Sequence, residues 1–172
     1  MHMKDFQIVN AQEMRQLDKL TLNEKNLQSF DLMEHAGRSI FYYLIKHQIF
    51  TVSDTLLIVS GIGNNGGDAL ICALAMFEKQ LNPKVVIVGD LENQSLENKL
   101  AIQKLDEIQV PITYISSTDD IETFTSLVDN TTIIIEGLFG IGLNSNVEGF
   151  YNTVISKINQ SYAQVISIDI PS

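Results

Sequence analysis

The sequence predicts a single three-layer α/β/α domain with a mainly parallel sheet and two helices ahead of the first strand. Short apolar runs alternate along the chain with longer stretches whose apolar residues recur at helical spacing. Most of these runs are apolar at every position, as strands are when helices cover both faces of their sheet. The 172 residues contain no internal repeat, low-complexity tract or linker, so one domain accounts for residues 1–172.

The first two helices are predicted from a cap and from apolar spacing. Asn10 followed by Glu13 resembles a capping box, in which each residue satisfies the other's backbone N–H group. Apolar residues then recur at helical spacing: Met14, Leu17 and Leu20. A second amphipathic helix covers residues 29–47. The apolar faces of these helices either cover the sheet or form the interface of a homodimer, and the sequence leaves both open.

After these helices, five strands alternate with four helices. The apolar runs predict strands at residues 55–60, 84–89, 112–115, 131–136 and 164–168. Helices are predicted at about residues 69–79, 95–108, 119–128 and 152–160. In the helix at 95–108 the residues expected to face inward are Leu96, Leu100, Leu105 and Ile108. The next helix is expected to begin at a cap formed by Thr118 or Asp119.

The most unusual stretches of the chain follow the carboxyl ends of three strands. Strands one, four and five lead into residues 61–68, 136–146 and 169–172. Crossovers between parallel strands are right-handed almost without exception, and ligands bind beyond the carboxyl ends of the strands. We therefore expect these three segments to meet at one rim of the sheet and to form the functional site.

The turn after the first strand has the spacing of a dinucleotide-binding, Rossmann-like loop. Gly61, Gly63 and Gly66 match G-x-G-x-x-G between a strand and a helix, where glycines allow close backbone approach and the helix start attracts anions. Asp90 follows the second strand, near where such folds hold a ribose. A tight turn without a ligand would need the same glycines. No Lys-Ser/Thr pair follows them, so the loop is not a Walker A motif.

Composition and charge exclude several classes of partner. The formal net charge of −10 would repel a phosphate backbone, so we expect no nucleic-acid partner. No apolar run reaches the ~18 residues of a membrane span, and the first residues lack the apolar core of a signal peptide. The single cysteine, Cys72, lies in an apolar helix and is expected to be a buried structural thiol. We expect a cytoplasmic protein.

Four motifs together resemble the NAD(P)H-hydrate epimerase family, the YjeF N-terminal domain. The run GNNGGD at residues 63–68 is similar to the hallmark of that family. LMEHAG at 32–37 is similar to its LMENAG helix, and EGLFGIGL at 136–143 to its D-x-x-F-G-x-G-L segment. IDIPS at 168–172 is similar to its D-x-P-S motif. These motifs occur in the family's order, and the resemblance covers nearly the whole chain from Asn10 onward.

The resemblance implies a reaction, a substrate and an ion. The family interconverts the R and S forms of hydrated NADH or NADPH. A separate or fused ATP- or ADP-dependent dehydratase, which takes only the S form, then restores the cofactor. Family members bind potassium (K+), which here would be held by Asn65, Glu136 and Ser172. The substrate would be contacted by Asn64, Asn65, Gly66, Gly67, Asp68, Gly140, Ile141, Gly142, Leu143, Asn144, Ser145, Asn146 and Asp169.

A carboxyl group that passes a proton to the leaving hydroxyl and takes one from the returning water would serve both directions of such a reaction. We assign this role to Asp169, with Asp68 as the second candidate. The chain departs from the family's pattern at Glu136, where Asp is usual, at Ala69 for Gly, and at His35 for Asn. The family pattern continues past residue 172, so the domain is expected to be truncated at its C-terminus.

Two other functions fit parts of the sequence. A nicotinamide-dependent oxidoreductase would use Asp90 for the ribose, but it leaves Asn64, Asn65, Glu136 and Asp169 without a role. A non-catalytic module that binds a nucleotide or a protein would have the same fold and would bind without turnover. Phe139 is expected to be a packed anchor of its loop rather than a platform for stacking.

Overall fold

The computed structural model describes residues 10–140 and 147–172. The strands are β1 (Leu56–Ser60), β2 (Lys84–Val88), β3 (Ile112–Ile115), β4 (Ile133–Gly137) and β5 (Gln164–Ser167). The helices are α1 (Ala11–Lys25), α2 (Ser29–Lys46), α3 (Asn64–Glu78), α4 (Leu96–Glu107), α5 (Ile121–Asp129) and α6 (Gly149–Gln160). Short 3₁₀ turns at Leu91–Asn93 and Thr118–Asp120 precede α4 and α5. Every predicted helix and strand is present.

The five strands form one parallel sheet in the order β3-β2-β1-β4-β5. β1 and β4 are buried along their whole length, whereas the edge strands β3 and β5 are partly exposed. The chain moves outward from β1 to β3 and then returns to β4 on the other side of β1. The strand order therefore reverses between β1 and β4, and folds of this kind bind ligands beyond the carboxyl ends of such strands.

Helices cover both faces of the sheet, so the three-layer α/β/α prediction is confirmed. α3 and α4 share one apolar core with one face of the strands, and α5 and α6 share a second core with the other face. α2 packs on the outer side of α3 and α4. This contact is close because Gly37 has no side chain where a Cβ atom would collide with Ile71 of α3. Among the described residues, no helix has the length and apolar character that crossing a bilayer requires.

α1 begins at the predicted capping box but leaves its apolar stripe exposed. Asn10 Oδ1 accepts hydrogen bonds from the N–H groups of Gln12 and Glu13, and Glu13 Oε2 accepts one from the N–H group of Asn10. The three apolar residues at helical spacing keep about half of their surface: Met14 44%, Leu17 47% and Leu20 54%. Of the first two helices, α2 covers α3 and α4, whereas the stripe of α1 faces outward.

The structure corrects the predicted start of α3. The helix begins at Asn64, directly after Gly63, five residues before the predicted start at residue 69. Asn and Gly have weak helix propensity, so the sequence pattern favoured a loop there. Tertiary contacts overrule that preference, because Gly66 and Gly67 allow the first turn to pack against Gly61 and Met33.

The register of α4 and the cap of α5 also differ from the predictions. Asn98, Ala101 and Leu105 are the buried residues of α4, whereas Leu96 and Ile108 are exposed and Leu100 is half-buried. The turn before α5 is capped by Ser117 instead of by Thr118 or Asp119. In this turn, the N–H groups of Ser116 and Ser117 donate hydrogen bonds to the carboxylate of Asp120.

Candidate functional site

The three segments that follow β1, β4 and β5 meet at one rim of the sheet. The N–H group of Gly61 donates to the carbonyl oxygen of Gly137 at 3.0 Å, which joins the first segment to the second. Ile168 donates in the same way to Glu136 at 2.8 Å, which joins the third. Asn65 then bridges all three, since its Nδ2 atom donates to the carbonyl oxygens of Phe139 and Ile168.

The turn after β1 is held by close contacts between backbones. A Cβ atom on Gly61 would lie under 3.0 Å from the carbonyl oxygen of Leu138, and one on Gly66 would lie as close to the carbonyl oxygen of Gly61. One on Gly137 would lie 2.5 Å from the carbonyl oxygen of Asn65. Real Cβ atoms essentially never approach so closely. These glycines are therefore required by packing between the first and second segments.

A cleft opens over this rim. It has a volume of about 760 Å³, and its walls include the start of α3, the peptide after β4 and the peptide after β5. The predicted site residues that line it are Asn64, Asn65, Asp68, Gly140 and Asp169. An adjoining recess of about 460 Å³ shares Asp68 and Asp169 and extends to Met14 of α1. Pockets of a few hundred to a thousand cubic ångströms are the usual size for bound small molecules.

Asp68 lies on the first turns of α3, between the cleft and the recess. Its side chain is half-buried because α2 packs over this turn, with Gly37 against the carbonyl oxygen of Asp68. Burial, and secondarily the negative charge of Asp169, raise the pKa of Asp68 to about 7. A carboxyl group with a pKa near neutrality can both give and take a proton at physiological pH.

Asp169 follows β5 in a backbone conformation that is unusual for a residue with a side chain. Its φ angle is 69°, and the N–H group of Ile170 donates to the carbonyl oxygen of Ile168 across it. Asp tolerates this left-handed region better than most residues, but the conformation still carries strain, and strain concentrates at functional sites. The Asp169 carboxylate is exposed, and its Oδ2 atom lies 2.9 Å from the Cβ position of Gly140.

Glu136 is a buried carboxylate at the end of β4, with 2% of its surface exposed. Its Oε2 atom accepts from the N–H group of Leu138 at 3.0 Å and from the Ser172 hydroxyl at 2.9 Å. Its Oε1 atom accepts from the N–H group of Ser172 at 3.3 Å. A buried charge requires such partners, so the long side chain is held in place by neutral donors. A cavity of about 50 Å³ borders both residues.

Asn65 and Glu136 approach the same strand end from opposite faces of the sheet. Gly137 faces α3, because its Cβ position meets Asn65, and the side chain before it must face the other way. Phe139 joins the two, since its carbonyl oxygen accepts from Asn65 and its N–H group donates to the Ser172 hydroxyl at 3.2 Å. Among the described residues, none donates to Asn65 Oδ1, although this atom is buried. A buried acceptor of this kind calls for a donor or a cation.

The remaining predicted site residues divide into three groups. Asn64 is exposed beside the cleft, whereas Gly66 and Gly67 are buried, the latter against the side chain of Met33. Gly140 lies between Asn65 and Asp169. The residues predicted to complete the loop lie outside the described residues: Ile141, Gly142, Leu143, Asn144, Ser145 and Asn146.

Two residues at the site were not predicted. Tyr151 of α6 lines the cleft and packs against Phe139, with 5.2 Å between ring centroids, so Phe139 is the packed anchor that was expected. Asn98 of α4 is buried and donates to the carbonyl oxygens of Gly61 and Gly63. Its position three residues before buried Ala101 is the signal that could have found it, because a polar residue on an inward helix face needs a partner.

Two further side chains have structural roles. Asp90 begins the short turn before α4, where its two carboxylate oxygens accept from Glu92 and Asn93. This capping role accounts for an acidic residue after β2 without a bound ribose. Cys72 is fully buried, and burial raises the pKa of its thiol to about 12. Since thiolates are the reactive form of cysteine, Cys72 is the inert structural thiol that was predicted.

Comparison with known proteins places the chain in a family. The model of the family described as YjeF-related protein N-terminus matches residues 29–172. The NAD(P)H-hydrate epimerase of Lentilactobacillus buchneri is 34% identical over 96% of this chain and 73% of its own length. The NAD(P)H-hydrate epimerase of Oenococcus oeni is 30% identical over 95% of this chain and 73% of its own length. The crystal structure of yeast ynu0, YNL200c, has a TM-score of 0.80 and 20% identity, covering 97% of this chain and 71% of the yeast chain. The chain therefore belongs to the YjeF-related protein N-terminus family.

Proposed function

We propose that this protein is an NAD(P)H-hydrate epimerase, which interconverts the R and S forms of hydrated NADH and NADPH. The relatives with that name match nearly the whole chain at 30% and 34% identity. The observation that carries the chemistry is the placement of Asp68 and Asp169 together on one cleft, beside the N-terminus of α3. One carboxyl group can pass a proton to and from a hydroxyl group, and the charge of the second helps to raise its pKa.

The start of α3 is the proposed site for the phosphates of the substrate. The first N–H groups of a helix have no partner within the helix, and the helix dipole favours an anion beside them. Asn64 offers an exposed side-chain amide on the same turn, and Asn65 contributes a backbone N–H group of the first helical turn. The substrate then extends across Gly140 toward Asp169, and residues 141–146 complete the contacts that the family resemblance implies.

The proton transfer is assigned to Asp68. The lone pair of the ring nitrogen expels the hydroxyl group at C6, which leaves as water after taking a proton from the neutral carboxyl group. An iminium ion and the Asp68 carboxylate remain. Water then adds to either face of the ring and returns its proton to Asp68. The sequence favours Asp169 for this role, with Asp68 as the second candidate. The raised pKa of Asp68 favours Asp68 as the proton donor instead. Burial is the main cause of that raised pKa, and the charge of Asp169 adds to it.

Potassium is proposed to bind at the end of β4, held by Asn65, Glu136 and Ser172. These residues offer amide, carboxylate and hydroxyl oxygens, the hard ligands that alkali cations prefer. The buried Asn65 Oδ1 atom, which no described residue satisfies, fits this use. When bound, the ion supplies positive charge that offsets the acidic residues around the cleft. The residues themselves fix the peptides after β4 and β5 that form its wall.

The function is tested by supplying the R form of hydrated NADH and following the appearance of the S form. We expect interconversion above the spontaneous rate, and a faster rate in potassium than in N-methylglucamine at equal ionic strength. The Asp68→Asn variant serves as the control for contamination. Binding of the hydrated nucleotide without interconversion would contradict the proposal and favour a non-catalytic module.

The ion site is tested with Glu136→Gln, which keeps the shape of the side chain and removes its charge. Potassium is expected to raise the melting temperature of the wild-type protein, because a ligand that binds only the folded state stabilises it. The variant is expected to lose most of this rise. Comparing the shift within each protein separates ion binding from the lower stability of the variant. Equal potassium shifts in both proteins would remove Glu136 from the ion site.

The partners and the compartment are proposed from the same reaction. The S form must be consumed by an ATP- or ADP-dependent dehydratase, separate or fused, and the cytoplasm is the proposed location.

A homodimer would bury the exposed stripe of Met14, Leu17 and Leu20. Light scattering of the wild-type protein and of a Leu17→Glu variant tests this, since a dimer through α1 would dissociate in the variant.

A further inference from the structure

Both ends of the Asn98 side-chain amide form hydrogen bonds, and its Nδ2 atom holds the turn after β1. It lies near the start of α4 and is completely buried. Its Nδ2 atom donates to the carbonyl oxygens of Gly61 and Gly63, each at 3.0 Å. Its Oδ1 atom accepts from Gln94 Nε2 at 2.9 Å, which fixes the side of the amide that faces the turn. A buried amide that is satisfied in this way specifies one arrangement of its neighbours.

The same end of α4 holds a third carbonyl group of the turn. The N–H group of Ser95 donates to the carbonyl oxygen of Ile62 at 3.0 Å. Three successive carbonyl groups, those of Gly61, Ile62 and Gly63, therefore point at α4. In a planar trans peptide the N–H group points opposite to the carbonyl group. The N–H groups of the following residues, Ile62, Gly63 and Asn64, consequently point away from α4.

These three residues line the cleft. Successive N–H groups that point the same way form a concave site for anions, and here they adjoin the positive end of the α3 dipole. A glycine turn without such restraint could rotate its peptides, because glycine has few steric limits. Ser60 Oγ also donates to the carbonyl oxygen of Gly61, and the N–H group of Gly67 also donates to that of Gly63. Asn98, which is completely buried behind the turn, is the side chain that ties these two carbonyl groups together.

We propose that Asn98 is a positioning residue that sets the direction of these N–H groups and so prepares the turn for a phosphate group. This inference rests on the proposed function for the identity of the ligand, a phosphate of the hydrated nucleotide. Asn98 acts through the turn, while proton transfer belongs to Asp68 on α3. Loss of Asn98 therefore weakens substrate binding more than it slows the chemical step.

The test replaces Asn98 with Leu, which has a similar size and no donor. We expect the KM for R-hydrated NADH to rise roughly tenfold, the loss of one to two modest hydrogen bonds, with kcat changed less than threefold. The matched control is Thr131→Val. Thr131 is also buried and donates to a backbone carbonyl group, that of Leu127, before β4 at the other end of the sheet. A KM within twofold of wild type for Asn98→Leu, or an equal rise in Thr131→Val, would overturn the inference.

A second measurement does not depend on catalysis. Inorganic pyrophosphate is titrated into ¹⁵N-labelled protein while the backbone amide signals of Ile62, Gly63 and Asn64 are followed. We expect these signals to move in the wild-type protein and to stay in place in Asn98→Leu. If the wild-type protein does not interconvert the epimers but its amides respond in this way, the proposed reaction fails and the role of Asn98 stands. Amides that respond equally in both proteins would overturn the role of Asn98.

Gln94→Ala covers the case in which Asn98→Leu does not fold. This variant keeps Asn98 but removes the hydrogen bond that fixes the orientation of its amide group. The amide oxygen then loses its anchor, so the Nδ2 atom is held less firmly against the two carbonyl groups and a KM rise of about threefold is expected. A wild-type KM and wild-type amide signals in Gln94→Ala would count against the inference by themselves.

Discussion

The Asp68→Asn variant is expected to interconvert the epimers about 10²–10⁴-fold more slowly than the wild-type protein, with a nearly unchanged KM. Asparagine has almost the same shape and reaches the same cleft, but it cannot pass a proton to the leaving hydroxyl group. Steady-state kinetics with the R epimer of hydrated NADH measures both constants. A rate close to that of the wild-type protein would remove Asp68 from the mechanism.

The pH dependence of the wild-type reaction follows from the same group. Asp68 must be protonated before it can assist the departure of the hydroxyl group, and its pKa is about 7. We therefore expect kcat/KM to fall as the pH rises through about 7. Asp169→Asn removes the negative charge that helps to raise this pKa, so the fall should move to lower pH. An unchanged profile in Asp169→Asn would show that the two carboxyl groups are not coupled.

Stability should respond to pH in the opposite way from a protein held by carboxylates whose pKa is lowered by hydrogen bonds or ion pairs. The unfolded chain loses the Asp68 proton near pH 4, whereas the folded protein keeps it until about pH 7. The contribution of the neutral, buried group is thus complete below pH 4 and is lost as the pH rises through 7. Asparagine cannot ionise. The melting temperature of Asp68→Asn should therefore rise relative to that of the wild-type protein as the pH increases from 5 to 8. A constant difference over this range would contradict the raised pKa.

The sheet and the rim could be predicted from sequence because both depend on local patterns. Buried parallel strands are apolar at every position, and a glycine turn after the first strand marks the end where ligands bind. The segments led by Gly61, Glu136 and Asp169 were therefore assigned to one rim before their contacts were known. The assignment of the ion ligands required the family resemblance, since no local pattern relates Asn65 to Ser172.

Tertiary contacts account for what the sequence did not reveal. Helix propensity could not predict that α3 begins at Asn64, because packing of Gly66 against Gly61 determines that turn. The pKa of Asp68 depends on burial beneath α2, which apolar periodicity does not report. Asn98 has helical spacing to Ala101, but only the packing of α4 shows that this face is inward and that the amide group is enclosed.

Among variants that add a single methyl group to the site, Gly66→Ala is expected to lower the free energy of unfolding most. The new Cβ atom would lie under 3.0 Å from the carbonyl oxygen of Gly61. That oxygen cannot move away easily, because Asn98 donates to it and the N–H group of Gly61 is bound to Gly137. Overpacking against a fixed backbone typically lowers the free energy of unfolding by about 1–3 kcal/mol, and we expect the upper end of that range. Urea denaturation measures it.

Gly63→Ala is the matched control. It adds the same methyl group directly before α3 begins, two residues before Asn65, where there is room for it. Gly63 has a φ angle of −91°, which any residue adopts, and no heavy atom lies within 4 Å of its Cβ position. Its free energy of unfolding should stay within about 0.5 kcal/mol of wild type. Since Gly63 lines the cleft, the methyl group should instead raise the KM. Equal stabilities of the two variants would show that the turn yields to the added group, and that close packing is not what requires glycine at position 66.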